Sequence, residues 1–137
     1  GGCVLEVPSG QPIVQGLAMP HSPRWHNGRL WVLNSGRGEL GWVDHNVGRF
    51  EAIEQVPGYT RGLALHGPAA FVGLSKIRQT STFGGLPIAQ RMTELRAGVA
   101  IVDLQSGQSV AYLTFPRGID EIFDVNVLPN IRTPYLY

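Results

Sequence analysis

Cysteine is nearly absent from this chain of 137 residues: Cys3 stands alone, so no internal disulfide can form and zinc sites built on cysteine pairs are excluded. Charge is scarce as well. Asp, Glu, Lys and Arg make up 15% of the residues, and 11 basic against 10 acidic side chains leave a net charge of +1. Such a balance gives no electrostatic reason to expect nucleic acid or an anionic membrane as partner. No apolar run approaches the roughly 20 residues of a membrane span. The opening Gly1-Gly2-Cys3-Val4-Leu5-Glu6 has neither an initiator methionine nor the basic-then-apolar pattern of an export signal. A cytoplasmic location follows as an expectation, as does a chain that is a fragment or lacks an upstream segment. What the sequence has in quantity is apolar residues, 43%, with 18 glycines and 10 prolines. That composition describes a turn-rich soluble domain, one unit over residues 1–137.

The apolar residues alternate in short runs, the signature of strands. Arg29-Leu30-Trp31-Val32-Leu33 closes on Asn34-Ser35-Gly36. Glu39 to Asp44 follows, then the turn His45 to Gly48, then Arg49 to Ile53. A second meander runs through Ala69 to Leu74, Gly98 to Asp103 and Ser109 to Leu113. The two align. At an offset of 40, His26 matches His66, Trp31 matches Phe71, Val32 matches Val72 and Ser35 matches Ser75; at 59, Asp44 and Gly48 match Asp103 and Gly107. A four-stranded unit repeating every 40 to 50 residues is the mark of a β-propeller blade. The expected fold is therefore all-β: propeller-type repeats of four-stranded antiparallel meanders, two to three blades in this chain, with blade-like units over about 19–58 and 59–117. The longer offset places an insertion in the second unit, about 77–97, read as a loop with at most a short helix over Ile88 to Arg96.

An inner strand should precede each meander. The candidates are His21 to Trp25, Thr60 to Leu65 and, by the 59-residue offset, Asp120 to Val125. Pro23 counts against the first as a central strand. Val4 to Val14 reads as the outer strand of a preceding blade.

Met19-Pro20-His21-Ser22-Pro23-Arg24-Trp25, Tyr59-Thr60-Arg61-Gly62-Leu63-Ala64, Val72-Gly73-Leu74-Ser75-Lys76-Ile77-Arg78 and Glu121-Ile122-Phe123-Asp124-Val125 carry a resemblance. They look like an uncharacterised bacterial conserved-hypothetical family of propeller-like proteins. The resemblance covers residue 16 to the end and implies similarity to the C-terminal part of longer members; it carries no activity to transfer. At the level of fold alone, Leu30 to Asp44 is similar to blades of gluconolactonase and NHL-type propellers.

The repeat register aligns His21 with Arg61, and Arg61 with Asp120 beside Glu121. Titratable groups at the starts of successive inner strands would ring the channel mouth and hold a small polar or anionic ligand, with Arg61 as a fork donor. The bland alternative is an Arg61–Glu121 ion pair tying blades together. Ligand-binding candidates are His21, Arg24, Arg61, Ser75, Lys76, Arg78 and Glu121. Metal binding is not expected; the weak candidate ligands for a divalent cation are His21, Glu121 and Asp124, and no two-histidine spacing supports them. Gly73-Leu74-Ser75-Lys76 lacks the second glycine of a nucleophile elbow. Lys76, Arg78, Arg91 and Arg96 make the insertion basic, either a solvated loop or an anion-attracting rim. His26, His45 and His66 fall at turns, and Trp25, Trp31, Trp42, Phe50 and Phe71 read as core packing.

Three function classes follow. The leading one is a binding or interaction module, with no enzyme activity favoured. A metal-dependent lactonase-like or hydrolase-like enzyme is the second, and a purely structural blade array the third. A chain of two to three blades also implies self-association that closes a ring, or an upstream part that does so.

Overall fold

Short alternating runs cut by glycine turns leave each strand one choice of partner, its neighbour in sequence. The computed structural model, which describes residues 1–77 and 84–135, shows the result as three antiparallel sheets. Strands β3 (Pro20–His26), β4 (Arg29–Asn34), β5 (Glu39–Asp44) and β6 (Arg49–Gln55) lie side by side in chain order. So do β7 (Tyr59–His66), β8 (Ala69–Ser75), β9 (Gly98–Asp103) and β10 (Gln108–Thr114). A hairpin of β1 (Gly2–Leu5) and β2 (Pro12–Leu17) precedes them. The all-β fold and the repeated four-stranded antiparallel meander read from the sequence are the architecture found.

The repeated Asp-x-x-x-Gly has a mechanical reason. Asp103 accepts the amides of Gln105 at 3.2 Å and Ser106 at 3.1 Å, while Gly107, at φ +71°, donates to the Asp103 carbonyl at 2.8 Å. Only glycine adopts that left-handed conformation cheaply. The Ser106 hydroxyl, together with these two amides, holds the Asp103 pKa below its usual value. The same turn recurs at the N-terminus. Gly10, also at φ +71°, donates to the Glu6 carbonyl at 2.8 Å, and Gln11 N–H meets Ser9 Oγ at 3.3 Å, as Gln108 N–H meets Ser106 Oγ at 3.3 Å. The turn of the β1–β2 hairpin thus repeats the turn that joins β9 to β10. Val4 to Val14, expected as one outer strand, is a strand, a turn and part of a second strand.

Packing follows from the alternation along β4. Trp31 and Leu33 turn to one side, into a core with Leu63, Val72 and Leu74 of the second sheet. Val32, 0% exposed, turns to the other, into a core with Val14, Leu17 and Val43 under the hairpin. A strand buried on both faces is what stacked blades require. Trp25 departs from the expected core role. It is 66% exposed, because the two-stranded hairpin leaves the inner part of this face uncovered.

Two further differences concern the end of the chain and the insertion. Asp120 to Val125 forms no strand. It runs extended across the second sheet, where the Ser75 hydroxyl accepts Ile122 N–H at 2.8 Å and faces Ile122 O at 3.2 Å, and Lys76 N–H donates to Asp120 O at 2.8 Å. Its spatial offset is also not 59. The backbone of Asp124 abuts Gly62, just as Ser22 abuts Gly62 across the first two inner strands, an offset of 62. The insertion folds into a 3₁₀ stretch, Pro87–Glu94, entered through a proline that suits a first helical position. Ile88, 1% exposed, and Leu95 bury against Tyr59 and Ile77, so the segment is anchored on the sheet rather than solvated throughout.

Candidate functional site

Both inner strands break register at the same repeat position. In β3 the pairing slips between His21 and Arg24, and in β7 between Thr60 and Leu63. The extra residue of each bulge takes positive φ, Ser22 at 54° and Gly62 at 81°, and Gly62 N–H donates to Ser22 Oγ at 3.1 Å. A bulge absorbs Pro23, whose missing N–H costs nothing there, and re-aims the flanking side chains. The result sets His21 and Arg61 close enough for the guanidinium to act on the imidazole.

Around them lies a polar network that starts from Leu33-Asn34-Ser35-Gly36. Buried Asn34 ties the strand end down, accepting Ala18 N–H at 2.8 Å and donating to Glu39 Oε2 at 2.8 Å. Ser35, 0% exposed, then holds its hydroxyl 2.9 Å from His21 Nδ1. His21 Nδ1 also lies 3.0 Å from the Met19 carbonyl. A carbonyl can only accept, so the network assigns the proton to Nδ1 and leaves Nε2 with its lone pair and no partner among the described residues. Tyr59 closes the network with a hydrogen bond to Ser35, an edge-on ring contact to His21 at 5.8 Å and its hydroxyl 3.9 Å from Met19 Sδ.

Burial lowers the His21 pKa from its ordinary value; the Met19 bond opposes that shift and the charge of Arg61 adds to it. The imidazole is therefore neutral near pH 7. Burial likewise raises the Tyr59 pKa, keeping the phenol protonated. Arg61, half-buried, lies 4.8 Å from the Phe123 ring centroid and makes no ion pair or hydrogen bond with any described residue. The Arg61–Glu121 pair raised from the sequence is thus not formed. The sequence offset had put Asp120 in register with Arg61; the three-residue slip puts Phe123 there instead.

The remaining candidates scatter. Arg24 approaches Asp124 at 3.8 Å with both side chains about half exposed, an arrangement worth little. Lys76 pairs with Asp120 at 2.8 Å, also exposed. The Ser75 hydroxyl is spent on Ile122. Glu121 is exposed, and Arg78 lies outside the described residues. His21, Glu121 and Asp124 do not converge: among the described residues no three His, Cys, Asp or Glu side chains could share a metal ion. His26 and His66 end strands rather than sit in turns, and His26 Nε2 lies 2.8 Å from the Gly67 carbonyl. In the insertion, Arg91 pairs with Glu94 at 3.1 Å, which reduces the basic rim.

Chemically the arrangement offers an acceptor, His21 Nε2, beside a donor fork, Arg61. Ser35 is no activated nucleophile, because the nitrogen it meets already carries a proton. Sequence reasoning missed Ser35, Tyr59 and Phe123. The first two lie in motifs that the repeat singles out, and their polar ends were the available signal.

A family model described as a domain of unknown function, DUF4915, matches residues 1–137. No curated protein matches the chain. Among the described residues no helix is long and apolar enough to cross a membrane.

Proposed function

The chain belongs to the DUF4915 family, and we propose that it is a propeller-type binding module receiving a small anionic ligand at the channel face. The observation that carries this is Arg61, a half-buried guanidinium with five donors, no acidic partner among the described residues, and one face against Phe123. Burying a cation unpaired is costly, so such a side chain is poised for an anion supplied from outside. Neutral His21 adds an acceptor for a hydroxyl or acid proton on the same ligand. A carboxylate or phosphate carrying a hydroxyl group fits both.

The enzyme reading is the weaker one. A lactonase-like reaction would need a channel cation, and the described residues offer no three-ligand set for one.

Isothermal titration with citrate and with inorganic phosphate tests the proposal on the unmodified protein and on Arg61→Gln. Charge-assisted bonds contribute about 1.5–3 kcal/mol, so affinity should fall roughly 10- to 150-fold, with the melting temperature nearly unchanged. Binding that survives the substitution, or a large loss of stability without any ligand response, would refute it.

A further inference from the structure

The backbone around His21 leaves its ring one tautomer. Two flanking residues take left-handed φ without being glycine, Met19 at 50° and Ser22 at 54°, a strain that persists only where the surroundings impose it. At Met19 the preceding residue is pinned from both sides. Ala18 N–H donates to Asn34 Oδ1 at 2.8 Å, and Ala18 O accepts Gly36 N–H at 2.8 Å. A Cβ on Gly36 would come within 2.9 Å of that oxygen, so the approach needs glycine there. The Met19 carbonyl, so placed, faces His21 Nδ1 at 3.0 Å. It belongs to the main chain and has no proton to give, so no side-chain rotation reverses the polarity of the contact.

Turning the ring over would not restore the choice. It would carry Nδ1 away from the Met19 carbonyl and from the buried Ser35 hydroxyl, which lies 2.9 Å from it, and the Tyr59 ring stands edge-on at 5.8 Å. Leaving buried groups without their hydrogen bonds is costly. His26, at the other end of β3, is set the opposite way: its Nε2 is the nitrogen that lies 2.8 Å from a carbonyl, that of Gly67. One strand therefore carries two imidazoles of opposite polarity. His21 presents its bare Nε2 near the Arg61 guanidinium, and both side chains are partly exposed. Burial, joined by the Arg61 charge, keeps that ring neutral near pH 7.

We propose that this site distinguishes the oxidation state of its ligand: it takes a hydroxycarboxylate, whose O–H donates to His21 Nε2 while its carboxylate meets Arg61, and disfavours the corresponding oxo acid. The inference rests on the anion reading of Arg61 and adds a polarity to it. A ketone oxygen in the place of the hydroxyl has lone pairs and no proton, so it would face the Nε2 lone pair and be repelled. The unsubstituted acid has no oxygen there and forgoes the bond. Sites that hydrogen-bond a ligand hydroxyl reject analogues lacking it, because the site's own polar group is left unpaired. His21 is partly exposed, so water replaces the missing partner, and the preference expected is about 10-fold rather than thousands.

Nitrogen-15 spectra of the imidazoles test the tautomer without any ligand. At about pH 8, above the ordinary histidine pKa, His21 should show a protonated Nδ1 and a bare Nε2, and His26 the reverse, with His21→Gln identifying the His21 signals. A His21 protonated on Nε2 would overturn the proposal. Isothermal titration with 2-hydroxyglutarate, 2-oxoglutarate and glutarate tests the preference. The better-bound enantiomer of the hydroxy acid should bind about 10-fold tighter than either of the others. In His21→Gln the amide can turn a donor or an acceptor outward, so the hydroxy and oxo acids should reach equal affinity. Equal affinities for all three acids in the unmodified protein would remove the preference and leave the anion reading of Arg61 standing. Binding of none of them would remove both.

Discussion

Truncating Trp31 and Phe71 to alanine separates two residues that share a repeat position but face different surroundings. Trp31 is 3% exposed, with the second sheet lying over it, and its indole N–H donates to the His26 carbonyl at 3.2 Å. Phe71 points the opposite way from its own sheet's covered face and is half-buried. A buried tryptophan removes about 150–250 Å² from water, which at 25 cal/mol per Å² is roughly 4–6 kcal/mol; measured losses for such truncations centre on about 3–5 kcal/mol. Half that area is at stake at Phe71, about 2 kcal/mol. With an unfolding entropy near 2.1 cal/mol/K per residue, each kcal/mol moves the melting temperature of a chain this size by about 3–4 °C. Trp31→Ala should therefore lower it by about 10–15 °C and Phe71→Ala by about half as much. Urea unfolding at submicromolar concentration, with the slope m compared between variants, measures both. Equal losses would mean that the second sheet does not cover Trp31, and the stacked-blade geometry would be wrong.

Stability should fall as pH drops below about 6.5, because the unfolded state then binds a proton that buried His21 refuses, and His21→Gln should flatten that slope. Its window runs from the ordinary histidine pKa down to the lowered folded value; melting curves between pH 5 and 8 that are identical with and without the histidine would contradict it. Ile88→Ala, at 1% exposed in the core beneath Tyr59, should cost about 2–5 kcal/mol in urea unfolding, whereas a freely solvated insertion would lose nothing. At Gly73 a Cβ would overlap the Arg61 carbonyl, while at Gly85 it would meet nothing within 4 Å. Gly73→Ala should thus fail to fold or melt far earlier, and Gly85→Ala should leave the melting temperature unchanged; similar behaviour of the two would be inconsistent with the β7–β8 packing.

Strand existence and pairing were legible because they are local. Alternation and the Asp-x-x-x-Gly turn depend on residues within one meander, the offsets of 40 and 59 relate one meander to the other, and the two four-stranded sheets reproduce them. The N-terminal hairpin was legible too and was overlooked: Glu6-Val7-Pro8-Ser9-Gly10-Gln11 follows Asp103-Leu104-Gln105-Ser106-Gly107-Gln108 position by position. Burial was the harder quantity. Trp25 and Trp31 look alike in the sequence, and whether an aromatic on a blade face is covered depends on the neighbouring blade, not on its own strand.

The site shows the same boundary more sharply. His21 and Arg61 lie near one another because the two inner strands share a bulge; Gly62 suits the positive φ of its bulge, whereas Ser22 takes positive φ without any such signal in the sequence. The acid expected opposite Arg61 was not there. An inner strand of the third repeat has no sheet partners to fix its register, so the sequence offset of 59 and the spatial offset of 62 part company, and three residues exchange Asp120 for Phe123. Along this segment Ile122 and Val125 are the half-buried residues, and Glu121 and Asp124 are exposed. That one slip changes the chemistry around Arg61. An arginine opposite a carboxylate would be a strut between the second sheet and this segment, whereas Arg61, laid on the Phe123 ring, spends none of its donors on an acid among the described residues.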